Sequence, residues 1–241
     1  EVNGEQIKAK SIVIATGSTP IVPAAWQDFD EDIITTDDFF ELEDLPASMA
    51  VIGLGSIGLE LGQSLNRMGV KVAAVDQLES IAKLDDEKVN EVAVAAIGKD
   101  FPLWLGAPAS LEKTDDGILV KAGDNEMVVE KVLASLGRQP NLQNLNLEAT
   151  DIVLGENGIP AYDPLTMQVG DLPIFIAGDV NTDRPLLHEA GHEGRIAGHN
   201  AIKQVNAKAK QKFKRKVPLA ITFCDPNIAM VGAQLSELDE E

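Results

Sequence analysis

Apolar positions along the chain fall into short unbroken runs punctuated by turn residues, with a few stretches of helical spacing between them. Residues 11–15 (SIVIA), 49–52, 70–75, 131–136 (KVLASL) and 174–177 (IFIA) read as strands buried on both faces. Shorter β-like runs occupy 103–105, 118–121 and 127–129, with turns at Asp115-Asp116-Gly117 and Gly123-Asp124-Asn125. Helical spacing of Leu59, Leu61 and Leu65 predicts a helix with Gly69 at its C-cap, and Val89, Val92 and Ala96 predict a second over 85–97. A third helix is expected over about 187–205, and a short one near 36–40 capped by Thr35 or Thr36. Residues 19–46 otherwise carry prolines, acids and aromatics without a sustained period and read as a crossover.

The remaining segments read as turns and short strands. Val2-Asn3-Gly4-Glu5 offers an Asn-Gly turn for a hairpin over 1–18. Residues 152–154 and Ile159 flank a turn at Glu156-Asn157-Gly158, and Pro218 opens an extended run to Phe223 before a strand at 228–231. Ser236 with Asp239 resembles a capping box opening a helix. Alternating strands and helices predict an α/β chain. The strand at 131–136 is expected to return beside 49–52 and complete a unit over about 47–141.

Within that unit, Gly53-Leu54-Gly55-Ser56-Ile57-Gly58 lies between the first strand and its helix, and Asp76 ends the second strand. The βαβ context makes this a dinucleotide fingerprint rather than a lone GxGxxG. Gly53 permits the tight turn, Gly55 lets backbone N–H groups approach a pyrophosphate, and Gly58 allows close packing. The pyrophosphate then meets the positive end of the helix. Asp76 can accept hydrogen bonds from an adenosine ribose diol and would repel a 2′-phosphate, which favours NAD over NADP. The bland alternative, a glycine-rich turn without a nucleotide, leaves the acid at the strand tip unexplained.

Composition narrows the partners. The chain of 241 residues has 39 acidic and 20 basic side chains, a net charge of −19, which argues against general nucleic-acid binding. Seven basic residues and no acidic one lie between Lys203 and Lys216; they read as a solvated helix end and linker, or as a docking patch for an acidic partner. No apolar window has the length of a membrane helix and no signal peptide is visible. The single cysteine, Cys224, excludes a disulfide within the chain and fits a reducing, cytoplasmic setting. The chain starts at Glu1 rather than Met and stops inside SELDEE, so a piece of a longer protein is expected.

Two further patterns compete. SIVIATGS, VLASLGR and IFIAGDV each run a buried strand into a glycine with a polar neighbour, which suits a second nucleotide site or merely the usual glycine turn after a strand. His188-Glu189-Ala190-Gly191-His192 spells HExxH, a helical zinc motif. Gly191 and Gly194 weaken that helix. The metzincin extension would also need glycine and histidine where Arg195 and Gly198 stand, and His199 comes one place late. No metal is therefore expected.

Taken in order, Ala15-Thr16-Gly17-Ser18, Gly53 to Glu60, Gly137-Arg138-Gln139-Pro140-Asn141, Ala177-Gly178-Asp179-Val180, His188, Glu193-Gly194, and Asp225-Pro226 before Val231-Gly232 carry a resemblance. The chain resembles the flavoprotein disulfide reductases (class I pyridine nucleotide-disulfide oxidoreductases), the dihydrolipoamide dehydrogenase branch above all. The resemblance implies a Rossmann-like NAD-binding domain inserted into a partial second FAD-type dinucleotide-binding fold. Residues 1–46 would be a partial FAD-domain strand and crossover, 47–141 the NAD domain, 142–216 the rest of the FAD part, and 217–241 the start of an interface domain.

By position, NAD would be held by Gly53, Gly55, Ser56, Ile57, Gly58, Asp76 and Gly137, with Glu60 facing the nicotinamide. Thr16 and Gly17 would lie near FAD, Asp179 on its ribityl and pyrophosphate part, and Pro185, Leu186, Leu187 and His188 along the flavin. The implied parent passes electrons from a dithiol through a disulfide and FAD to NAD⁺, as a homodimer and a component of a 2-oxo acid dehydrogenase complex. The family's FAD glycine loop, redox cysteine pair and His-Glu acid–base pair are not among these residues. Cys224 is thus expected to be structural. The chain alone is expected to be catalytically inactive; the alternatives are a nucleotide-binding module, or a parent that is a mercuric reductase or soluble transhydrogenase.

Overall fold

The computed structural model describes residues 3–238, the side chain of Asp30 excepted. The chain forms two compact units, one interrupting the other in sequence. The flanking unit comprises the residues up to Thr19 with Gln139–Lys216; the inserted unit comprises Pro20–Arg138 and the residues from Val217 onward.

The inserted unit is built on a five-stranded parallel sheet, in the order Ile33–Ile34, Lys131–Ala134, Ser48–Ile52, Lys71–Asp76, Leu103–Leu105. The strand at 131 returns beside the strand at 48, as the apolar runs predict. Successive side chains point to opposite faces, so both faces of an all-apolar strand must be covered. Met49, Val51, Val72 and Ala74 pack on one side with Leu59, Leu65, Ile97 and Phe101, from or beside the helices Ser56–Arg67 and Glu87–Ile97. Ala50, Ile52, Val75 and Val132 pack on the other with Phe29 and with Ile118, Val120 and Val129. Those last three belong to an antiparallel sheet of Ser110–Thr114, Gly117–Ala122 and Asn125–Val129.

Local chemistry sets the ends of the helices. Asp86 caps the helix at 87 by accepting from the N–H groups of Lys88 and Val89. The helix Ser56–Arg67 stops where Val70 N–H reaches the Leu65 carbonyl past Gly69, in a left-handed turn. Thr35 and Asp38 form a reciprocal cap on Thr36–Phe39.

Several segments differ from the sequence-based expectation. Residues Ala24–Asp32, expected as irregular crossover, form a 3₁₀ helix anchored by Phe29 and Trp26, whose apolar contacts follow no helical period. Ser110–Thr114 is a strand although only Leu111 is even half-buried; ladder pairing, not burial, holds it. The residues 20–46 cluster with the glycine-loop unit, so the division falls at 19/20 rather than 46/47. The hairpin Leu219–Thr222/Ile228–Val231 also belongs to that unit, through Cys224 and Ile228 in its core. Ser236 does not cap a helix: its N–H and hydroxyl both donate to Asp85, at 2.8 and 2.9 Å. Asp239 and Val2 lie outside the described residues, while Asn3 and Gly4 take the positive φ of an Asn-Gly turn.

The flanking unit carries a four-stranded sheet ordered Ile12–Ile14, Ile174–Ile176, Gln168–Val169, Tyr162–Asp163; its first pair is parallel and the rest antiparallel. The helix Leu187–Val205 lays Ile196 and Ala197 on Met167, Phe175 and Ala177. Ile14, Val169 and Ile176 face a second cluster with Leu142, Leu147 and Val180.

Candidate functional site

The glycine loop sits at the carboxyl ends of the parallel strands, where an open α/β sheet takes its ligand. Gly53, at φ +96°, donates its N–H to the Val75 carbonyl at 2.8 Å. A Cβ there would collide with the Ser135 carbonyl oxygen, and one at Gly58 would collide with the Gly53 carbonyl oxygen. Both glycines are therefore required by backbone contact alone. Gly55 differs: it is the N-cap of Ser56–Arg67, and a Cβ on it would meet nothing within 4 Å. Its open side adjoins the N–H groups that the first helical turn leaves without partners. The loop thus has the close packing and the vacant approach that a pyrophosphate requires.

Asp76 reaches the same loop. Its Oδ2 accepts from Leu54 N–H at 2.7 Å and its Oδ1 from Leu78 N–H at 2.9 Å. A carboxylate has about four acceptor positions, so about two remain open to further donors. Ser135, at the end of the neighbouring strand, buries an Oγ that has no protein partner among the described residues.

One face of the helix at 56 is taken by the hairpin. Ser56 Oγ lies 2.7 Å from Thr222 Oγ1, and Glu60 Oε1 accepts from Phe223 N–H at 2.8 Å. Gln63 exchanges bonds with Asp225 N–H and carbonyl (2.7 and 3.0 Å), and Arg67 pairs with the Asp225 carboxylate at 2.8 Å. Spacing within the helix predicts which residues share this face, yet nothing local says what they meet 160 residues later. Burial pushes the Cys224 thiol up, the opposite of an activated thiolate. Ile57 is partly exposed at the loop, and Gly137, at φ +96°, takes Ile21 N–H on its carbonyl at 3.0 Å.

A family model described as pyridine nucleotide-disulphide oxidoreductase matches residues 1–204. The chain belongs to this family. The oxidoreductase relatives include a mercuric reductase of Staphylococcus aureus, 31% identical over the whole chain and 44% of that protein. A dihydrolipoyl dehydrogenase of Bacillus subtilis (strain 168) is 34% identical over 81% of the chain and 43% of its own length. Among solved structures, LpdA from Mycobacterium tuberculosis superimposes with a TM-score of 0.79 at 27% identity, over 94% of this chain and 49% of that one. The flavoprotein disulfide reductase RclA from Escherichia coli shares the fold (TM-score 0.83, 20% identity, 96% of this chain and 53% of that one). The chain therefore spans about half the length of the relatives it matches.

The flanking unit also offers loops at strand ends. Ile12–Ile14 and Ile174–Ile176 run parallel, so Thr16-Gly17 and Gly178-Asp179 emerge on one edge. Thr16 Oγ1 donates to the Asn141 carbonyl at 2.6 Å, Asn141 N–H donates to the Gly17 carbonyl at 3.0 Å, and Ser18 Oγ lies 3.4 Å from Asp179 Oδ2. Pro185 and His188 are exposed, Leu186 is the helix N-cap, and Leu187 is 92% exposed.

Within the HExxH run, Glu189 is paired with Arg184 and Arg215, at 3.4 and 3.0 Å. Burial pushes the Glu189 carboxyl up, but the hydrogen bond and charge of Arg215, with Arg184, outweigh it and hold the carboxyl below its usual value. Among the described residues no group of three or more His, Cys, Asp or Glu is placed to bind a metal. No helix among them is long and apolar enough to cross a membrane.

Sequence reasoning missed Glu193 and Arg215 as a pair. Arg215 belongs to the basic stretch, but its side chain is 9% exposed and bonds Glu189 and Glu193 at 3.0 and 2.8 Å. The inward turn of Phe213 and Arg215 between exposed Lys212, Lys214 and Lys216 was the available signal: an aromatic within an alternating lysine run.

Proposed function

We propose that the chain is the NAD-binding portion of a dihydrolipoamide dehydrogenase-like flavoenzyme, in which electrons pass from a dithiol through a disulfide and FAD to NAD⁺. The observation that carries the reading is Asp76 bonded to Leu54 N–H inside the glycine loop, beside the vacant approach at Gly55. Gly53, Gly55 and Gly58 with the N–H groups of Ser56 and Ile57 would hold the pyrophosphate, Asp76 the adenosine ribose, and Gly137 the far side of the loop. Glu60 and the residues clipped to it would face the nicotinamide. Thr16, Gly17 and Asp179 would take the FAD side, with Pro185, Leu186, Leu187 and His188 along the flavin.

The bound cofactors supply hydride transfer between nicotinamide C4 and flavin N5. What these residues add is position and charge. The loop amides neutralise phosphate, the strand-tip acid selects NAD over NADP, and Asp179 anchors the ribityl chain.

A mercuric reductase parent is the second reading, favoured by the Staphylococcus aureus relative matching along the whole chain. It shares the same nicotinamide site and differs in what the disulfide centre reduces. The 241 residues hold one cysteine and one GxGxxG loop, which supports a chain that binds nucleotide without catalysing disulfide reduction by itself. NADH titration followed by nicotinamide fluorescence and by melting temperature tests the reading. Saturable binding with thermal stabilisation is expected, and the absence of both overturns it.

A further inference from the structure

The segment after the long helix has no regular element, yet it is fastened at successive points to the flanking unit. Asn200 accepts Gln211 N–H at 2.8 Å and donates to the carbonyls of Gln211 and Thr166, at 2.9 and 3.1 Å. Phe213 N–H donates to the Leu165 carbonyl at 2.8 Å, and its ring meets His199 edge-on with centroids 5.3 Å apart. Arg184 donates to the Lys216 carbonyl at 3.1 Å. Between these fastenings Arg215 turns inward and bonds Glu193 Oε1 at 2.8 Å.

Glu193 is fully buried. Its other oxygen accepts from Gly178 N–H at 2.8 Å and from Asn181 Nδ2 at 2.6 Å. Gly178 stands at φ +80°, ψ −163°, a conformation that essentially only glycine adopts and that persists where its surroundings impose it. An unbroken series of contacts therefore joins the basic segment to the turn that presents Asp179.

We propose that residues 211–216 form a strap whose Arg215, acting through Glu193, fixes the backbone of the Gly178-Asp179 turn and so the carboxylate presented to a flavin dinucleotide. The last clause rests on the flavin reading above. Arg215 is a positioning residue: it reaches the Gly178-Asp179 turn through Glu193, while its ion pairs with Glu189 at 3.0 Å and Asp183 at 3.8 Å lie outside those two residues. The two sequence-based readings of the basic stretch, solvated linker or docking patch, leave its inward arginine without a task.

The test compares Arg215→Met, Arg215→Lys and Thr150→Ala with the unaltered chain. Thr150→Ala removes the hydroxyl that bonds the Leu147 carbonyl and Ile152 N–H in a turn of the same unit. Amide exchange is read by mass spectrometry on residues 174–182, well below the melting temperature. Arg215→Met is expected to speed exchange there on the order of tenfold, with Arg215→Lys intermediate. Thr150→Ala should lower the melting temperature yet leave that segment at its original rate. Equal exchange in Arg215→Met and Thr150→Ala would mean the arginine is only structural and would overturn the proposal. Should Arg215→Met not fold, Arg215→Lys carries the same comparison.

In parallel, FAD is titrated into each chain by flavin fluorescence. Binding by the unaltered chain that weakens about tenfold in Arg215→Met, with NADH affinity unchanged, supports the strap. Equal FAD affinity in both overturns it. No FAD binding by the unaltered chain counts against the flavin reading, and the exchange measurement then decides the strap alone.

Discussion

Asp76→Arg is the sharpest perturbation of the nucleotide assignment, because the proposed function gives the carboxylate a second task beside the one it has in the structure. It braces the loop through Leu54 N–H at 2.7 Å and Leu78 N–H at 2.9 Å. Leu78 is 55% exposed, so water replaces its lost partner at little cost. Leu54 is 1% exposed. Its stranded amide is expected to carry most of the loss, about 1–3 kcal/mol. For a protein of this size that corresponds to a fall in Tm of roughly 2–10 °C.

Binding is a separate quantity. Bonds from a ribose diol to a carboxylate contribute about 1.5–3 kcal/mol each, and each 1.4 kcal/mol or so is tenfold. With both diol bonds lost, NADH binding to the variant should therefore weaken roughly 100-fold or more. A guanidinium at the same tip attracts a 2′-phosphate, so the NADH-to-NADPH preference should invert. Fluorescence titration of both nucleotides, beside thermal unfolding, separates the two tasks. A lower Tm with an unchanged preference would mean that Asp76 only braces the loop, and would refute the ribose assignment.

The second and third glycines of the loop should part company. Gly55→Val points into open space and is expected to change stability by less than about 1 kcal/mol while abolishing NADH binding, read by titration beside denaturant unfolding. Gly58→Val meets the Gly53 carbonyl and should cost roughly 3 kcal/mol or prevent folding. In the flanking unit, burial, with the charges of Asp183 and Glu193, pushes the Tyr162 phenol up to about 12 from an ordinary 10.0. The unfolded chain ionises first, so stability is complete below pH 10 and falls as pH rises from there toward 12. Tyr162→Phe should flatten that alkaline decline in urea unfolding. The chain is expected to bind added FAD too weakly to keep it through purification and so to be colourless; visible absorbance from co-purified flavin would overturn that expectation.

Much of the inserted unit was legible because its information is local. Three glycines, a helical period and an acid at a strand tip are all read within 28 residues, and the strand returning at 131 follows from continuous apolar runs. Asp86 and Thr35 likewise act on amides two or three residues away. What stayed hidden is non-local. Gln63 reads as an ordinary polar helix position, yet it is 3% exposed and satisfied by Asp100 and Asp225, the latter 162 residues away. Arg215 lies in a lysine-rich run whose composition suggests water on every side, and only Glu189 and Glu193 on another element make it internal. Phe29 and Trp26 anchor a 3₁₀ segment, for which no periodic signature exists to be read.

The clip between the fingerprint helix and residues 222–225 bears on how the unit comes into being. During synthesis the helix emerges well over a hundred residues ahead of Thr222 and Asp225, so Ser56, Glu60, Gln63 and Arg67 remain without these partners while most of the chain is still being made. Closing so long a loop is slow compared with the neighbouring βαβ contacts. Anyone trimming the polypeptide to a minimal nucleotide carrier should keep the hairpin at 219–231, because a cut at residue 138 would strip a finished helix of the bonds that Ser56, Glu60, Gln63 and Arg67 make there.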